Sequence, residues 1–170
     1  NMVLAWYYVR QMYPDSPNLN YEDDTTVAFF SLPFEALNNW SAHRVKLWGK
    51  EFQTAEAAYQ FAKFRETAPT VAKQIANAPS PYAVFQISRA NRHYTPNDWD
   101  EHKIEVMTEV VRAKLMQNKD VWERLLATSK KLIVENSPVD DFWGLGPDQK
   151  GQNHLGNIWM QLRGEITNPS

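Results

Sequence analysis

The chain is predicted to fold as an α+β, mostly helical single domain with a small antiparallel sheet. Three observations predict this. Apolar residues recur at helical spacing in the second half, most clearly Ile104, Met107, Val111 and Leu115. Short segments near the front, 27–30 and 45–52, read as strands, the second with Gly49 at a turn. The 170 residues are 43% hydrophobic, enough for one sizeable core, and no internal repeat, low-complexity tract or linker divides them.

Each element has a local reason. Residues 2–13 are aromatic, with Trp6, Tyr7, Tyr8 and Tyr13; Pro14 and Pro17 interrupt them, and 18–24 is acidic and turn-like. Residues 1–26 are therefore expected to form an N-terminal extension packed on the domain. The domain itself is expected to run over 27–165. Val27, Ala28, Phe29 and Phe30 predict a strand, 37–41 a loop carrying the amides Asn38 and Asn39, and 45–52 a hairpin. Thr54 is the natural N-cap of a helix over 54–64. Helices follow over 70–77, 82–89, 99–117 and 120–128, with Pro79 and Pro81 separating the first two. In the fifth, Trp122, Leu125 and Leu126 are expected inside. Residues 132–135 predict a short buried strand, 140–153 a glycine-bearing loop, and 154–163 a closing helix capped by Asn153. Residues 164–170 are expected to fray, the last five as a tail.

Composition narrows the chemistry. The net charge of −2 argues against a general nucleic-acid coat. The absence of cysteine excludes a disulfide framework, thiol catalysis and a Cys-based zinc site, and the four His residues form no HxxxH or HExxH pattern, so no metal or other cofactor is expected. Residues 2–12 lack the basic start and long apolar middle of a secretory signal, and no apolar run approaches a membrane span, so a cytoplasmic protein is expected. The sequence does not speak to oligomeric state.

The helix over 54–64 has one peculiarity. Glu56, Tyr59, Gln60 and Lys63 stand at i, i+3, i+4 and i+7 and share one stripe, while Ala55, Ala58, Phe61, Ala62 and Phe64 suit burial on the other faces. A carboxylate, an amide and an ammonium in one row on a packed helix are expected to face a cleft. A purely structural reading of Glu56 stands beside this one: in the first turn of the helix its charge is favoured by the helix dipole, by about 0.3–1 kcal/mol. That dipole favours the ionised form, so the residue suits a base or cation stabiliser unless desolvation outweighs it.

Several blocks in fixed order resemble a known family: Thr54-Ala55-Glu56 with Tyr59-Gln60 and Lys63-Phe64; Arg89, Asp98-Trp99 and Met107; Ala113-Lys114; Leu125-Leu126-Ala127-Thr128; Leu132-Ile133-Val134-Glu135; Asp140; Phe142-Trp143-Gly144-Leu145-Gly146; and Gly151-Gln152-Asn153-His154-Leu155-Gly156 with Met160-Gln161-Leu162-Arg163. The chain is similar over about 29–163 to the NADAR (YbiA-like) superfamily of N-glycosidases. It departs from the family pattern at Ala57, where relatives often carry His, and at Asn38-Asn39-Trp40, where relatives have Ser-Asn-Phe; residues 2–26 have no clear counterpart.

The resemblance implies an N-glycosyl hydrolase acting on the C1–N bond of a phosphorylated ribosylamine, such as an early riboflavin-pathway intermediate. A second substrate it allows is ADP-ribosylated guanine, with nucleic acid involved only as substrate. A binding module for ADP-ribose or a nucleotide, without turnover, is the reading from another class. In the hydrolase reading Glu56 stabilises the sugar cation or activates water, Lys63 holds a phosphate or traps the open sugar as an imine, and Asp140 orients a cation or caps a turn. The expected substrate-binding residues are Asn39, Tyr59, Gln60, Arg89, Arg92, Trp99, Trp143, Gly144, Gly146 and Asn153. Arg89 and Arg92 suit phosphate oxygens, the tryptophans suit a base, and the glycines let a ligand approach backbone. Lys114 shares the ambiguity of Lys63.

Overall fold

The computed structural model describes residues 19–30 and 35–169. The expected packing of the extension over 1–18 lies outside the described residues. Strand β1 (Tyr21–Glu22), within a segment predicted as turn, pairs antiparallel with β2 (Thr26–Phe29). Strands β3 (Val45–Leu47) and β4 (Lys50–Phe52) form the expected hairpin. Helices α1 (Ala55–Phe64), α2 (Pro69–Ala76), α3 (Pro81–Ala90), α4 (Trp99–Gln117) and α5 (Lys119–Ala127) follow, with a short 3-10 turn at Arg92–Tyr94. Strand β5 (Leu132–Glu135) and helix α6 (His154–Thr167) complete the fold.

The α+β class is as predicted, with one refinement in the sheet. β5 joins β2 in parallel, with Val27 opposite Ile133 and Phe29 opposite Glu135, so the three-stranded sheet is mixed and only its β1–β2 edge and the separate hairpin are antiparallel. Parallel pairing requires a long crossover, and here the hairpin and five helices supply it. This brings a strand from the end of the chain against one from its start.

Local sequence explains the elements. Thr54 is extended (φ −146°, ψ 161°) and its hydroxyl accepts the Ala57 N–H at 3.1 Å, the predicted cap of α1. Ser80 caps α3 in the same way, with Pro81 at the first helical position. Two core assignments differ. Ile104 and Leu126 are 39% and 42% exposed, because the faces of α4 and α5 that pack inward carry Met107, Val110, Val111 and Leu115, and Val121 and Leu125. The segment 164–167, predicted to fray, continues α6 for a further turn; Arg112 of α4 pairs with Glu165 there at 2.9 Å. No helix among the described residues is long and apolar enough to cross a membrane.

The core wraps α1. This helix packs against α2, α3, α4 and the hairpin, and seven of its ten residues are buried. The three that are not are Glu56, Gln60 and Lys63.

Candidate active site

Those three side chains open into a cavity of about 760 Å³. Its lining comes from distant parts of the chain: Asn38, Asn39 and Trp40 from the amide loop, Glu56, Tyr59, Gln60 and Lys63 from α1, Phe85 and Arg89 from α3, Trp99, Asp100, Lys103 and Met107 from α4, and Glu135, Asp140 and Trp143 from β5 and the loop after it. The stripe predicted to face a cleft faces one.

Glu56 sits where two structural devices meet. Its backbone N–H donates to the Asn39 carbonyl at 3.1 Å, which ties the amide loop to the start of α1. Its carboxylate accepts the Gln60 side-chain N–H at 3.0 Å, one turn on. Burial pushes its proton affinity above the ordinary carboxylate range, the Gln60 hydrogen bond and the Lys63 charge pull it back, and Asp140 raises it again. Desolvation therefore does outweigh the features that favour the anion, the condition under which Glu56 could also hold a proton.

Lys63 is half-buried, and among the described residues its ammonium has no hydrogen-bond or ion-pair partner; its nitrogen lies 5.6 Å from the Phe64 ring centroid. Burial lowers its pKa, Glu56 opposes this, Lys103 reinforces it, and Asp100 opposes it. A lysine held in this way has an enlarged neutral, nucleophilic fraction.

Aromatic rings build one wall. Tyr59 packs against Trp99 with centroids 5.4 Å apart and meets Trp143 edge-on at 5.7 Å. Burial holds the Tyr59 phenol well above its ordinary range, so it stays neutral, an uncharged partner for the rings beside it. Lys103 lies 3.8 Å from the Phe142 ring centroid and pairs with Asp100 at 2.9 Å; it and Arg89 are cations of the lining.

Two lining amides carry orphaned acceptors. Asn39 is buried and donates to the Met107 sulfur at 3.3 Å, but its Oδ1 has no partner; nor has the buried Oε1 of Gln60. Buried acceptors without donors are costly.

Four residues expected to bind substrate are not part of the lining. Arg92 is exposed in the turn after α3. Gly146 adopts φ +69° and shapes the loop. Gly144 is buried behind the lining, where an added Cβ would come within 2.9 Å of the Glu135 Oε2. Asn153 takes a left-handed conformation (φ 52°), makes no side-chain cap bond to α6, and instead spends both ends of its amide on β5: Oδ1 accepts the Glu135 N–H at 2.9 Å and Nδ2 donates to the Ile133 carbonyl at 2.9 Å. The side chain still lies against the first turn of α6, where a Cβ added at Gly156 would come within 2.5 Å of both amide atoms, but its hydrogen bonds go to the strand.

Asp140 reaches the cavity, and its Oδ1 accepts the N–H groups of Phe142 and Trp143 at 2.9 and 2.8 Å, so the turn-capping alternative is the one its hydrogen bonds display. Lys114 is not part of the lining. It is fully buried and donates to the Asn38 carbonyl at 2.9 Å and the Ser41 hydroxyl at 2.7 Å, pinning the amide loop from behind. Burial brings its pKa down to about 7, against the pull of Glu35 and Asp120.

Sequence reasoning passed over Glu135. Glu135 is part of the lining, its Oε2 is buried with no partner, and burial, aided by Asp140 and Glu56, pushes its pKa up to about 8. The available signal was a glutamate closing an otherwise apolar strand, Leu132-Ile133-Val134-Glu135, a few residues before Asp140. Among the described residues no group of His, Asp and Glu could hold a metal ion.

Comparison with known proteins places this geometry among relatives. The family model described as the NADAR domain matches residues 21–167. An N-glycosidase of Nostoc punctiforme is 34% identical over 146 residues, 84% of this chain and 94% of that protein. A riboflavin biosynthesis protein of Vibrio vulnificus is 31% identical over 160 residues, which cover 94% of this chain and 41% of the longer protein. Among solved structures, that of YbiA from E. coli superposes with a TM-score of 0.75 at 28% identity, covering 89% of this chain and 90% of that one.

Proposed function

The chain belongs to the NADAR domain family, and from that premise we propose that it is an N-glycosidase hydrolysing the C1–N bond of a phosphorylated ribosylamine, of the kind met early in riboflavin biosynthesis. The names of its relatives, N-glycosidase and riboflavin biosynthesis protein, support both halves of the reading. The observation that carries it is the pairing of Glu56 and Lys63 on one helix stripe inside a cavity with an aromatic wall. Binding alone does not call for a carboxylate there.

The chemistry follows from the reacting bond. As the C1–N bond lengthens, positive charge builds on C1 and the ring oxygen. A carboxylate in a partly dry cavity stabilises that charge more than water does. Glu56 supplies it, and Gln60 fixes its orientation. The same carboxylate accepts the proton of the attacking water. Lys63, its pKa lowered by burial, grips the sugar or attacks C1 of the ring-opened imine. That attack displaces the substrate amine and leaves a lysine imine, which water hydrolyses to the free sugar and the free lysine. Asn39 and Gln60 offer acceptors to the hydroxyls, Trp99 and Trp143 wall the base, and Arg89 with Lys103 meets phosphate.

A mass-spectrometric panel tests the reading. Ribosylamine phosphates and ADP-ribosyl-guanosine are offered to the wild type and to Glu56→Gln. Release of ribose phosphate from the first class by wild type alone is the expected result. Turnover restricted to the ADP-ribosyl compound would move the substrate to modified guanine. Saturable binding of ADP-ribose with no turnover of either class would favour the binding module.

A further inference from the structure

Four acidic residues line the cavity, and they are not equivalent. Asp100 is paired with Lys103 at 2.9 Å. Glu56 accepts a side-chain N–H from Gln60 and lies within the field of Lys63. Asp140 accepts two backbone N–H groups at one oxygen. Both have donors that suit an anion. Glu135 Oε2 has none, although it is buried. Where mutually repelling carboxyls share a pocket, the proton settles on the one with the fewest donors.

The fold holds Glu135 from three sides. Asn153 accepts its N–H, the Leu145 N–H donates to its carbonyl at 2.9 Å, and Gly144 leaves open the space that its carboxyl occupies. The loop over 140–153 thus braces this one strand-end residue, with its side chain in the cavity lining.

We propose that Glu135 is the catalytic acid of this site, handing its proton to the leaving nitrogen as the C1–N bond breaks. The inference rests on the hydrolase reading above. The bonding pair leaves with nitrogen, which takes the Glu135 proton and departs as neutral amine. The water oxygen bonds to C1 and gives its proton to Glu56. Exchange with solvent returns a proton to Glu135 and removes one from Glu56, and no oxidant or reductant is needed. The elevated proton affinity of Glu135, with a pKa of about 8 under the influence of burial, Asp140 and Glu56, fits an acid that holds its proton near neutrality.

Two measurements test it. The first is kcat and KM against pH for wild type and Glu135→Gln on a ribosylamine phosphate. The variant should lose about 10²–10⁴-fold in kcat with KM little changed, and the alkaline fall of the wild-type profile should vanish. A variant within threefold of wild type, or one that keeps the alkaline limb, overturns the assignment. The second needs no variant activity: the ¹³C resonance of the Glu135 carboxyl, identified by its loss in Glu135→Asp, should report a protonated group at pH 7 in the wild-type protein. An ionised carboxyl at that pH overturns the proposal even if Glu135→Gln fails to fold. Wild-type inactivity on every ribosyl compound would instead remove the hydrolase reading, and the acid role with it.

Discussion

The side-chain oxygen of Asn153 accepts the backbone N–H of Glu135 at 2.9 Å, across eighteen positions of sequence. With the return bond from Nδ2 to the Ile133 carbonyl, it joins the loop before α6 to the end of β5. Asn153→Ala leaves a buried N–H and a buried carbonyl without partners, so stability should fall by about 1–3 kcal/mol in urea melts. A structural loss alone would leave the pH profile of the folded enzyme in place. If Asn153 positions Glu135, kcat should drop more than KM changes, and the alkaline limb should shift. An unaltered profile in the folded variant would confine Asn153 to stability.

Glu56→Gln retains the shape of the side chain and removes its charge. Turnover is expected to fall by about 10²-fold or more, because the developing cation loses its counter-charge, while the melting temperature holds or rises, since a buried charge has gone. Isothermal titration with unreactive ribose phosphate should show binding near the wild-type level. Near-normal turnover would take Glu56 out of the mechanism.

Lys63 distinguishes an imine route from simple grip. Borohydride added during turnover should leave a sugar-derived mass on the peptide carrying Lys63, and the yield should increase with pH as the lowered pKa of Lys63 is crossed and the neutral amine grows. Lys63→Arg keeps the charge but cannot form the imine. An active Lys63→Arg with no adduct on the wild type would leave Lys63 with phosphate or sugar binding alone.

Local rules made the helices and the hairpin legible: Thr54 caps, Pro81 starts a helix, and Gly49 turns. The stripe of Glu56, Gln60 and Lys63 was legible for the same reason, since all three lie on one helix. What escaped were features created by pairing distant segments. The parallel partnership of β2 and β5 depends on a crossover of more than a hundred residues, and no periodicity records it. Glu135 reads as the end of a strand until that pairing and the loop after it bring it into the cavity lining. Lys114 resembled Lys63 in sequence but holds the Asn38 carbonyl and the Ser41 hydroxyl from behind, a difference of direction that appears only with the packing of α4.

The buried ionisable groups impose a distinctive pH dependence on stability. Glu135 has a folded pKa of about 8 against an ordinary 4.5. Below 4.5 both states hold the proton; between 4.5 and 8 the unfolded chain has released it and the folded one keeps it, so the unfolded state binds fewer protons and stability falls as pH rises. Glu56, also raised, acts in the same direction above its ordinary value. Lys114 does the reverse: its folded pKa of about 7 lies below the ordinary 10.5, the unfolded chain binds more protons between them, and stability rises with pH across that window. In urea melts, Glu135→Gln should remove a decline on the order of 2 kcal/mol between pH 5 and 7. Lys114→Met should flatten the rise between pH 8 and 10. An identical pH 5–7 slope in wild type and Glu135→Gln would mean that the carboxyl at 135 is already ionised across that range, and that the decline belongs to Glu56 and its neighbours.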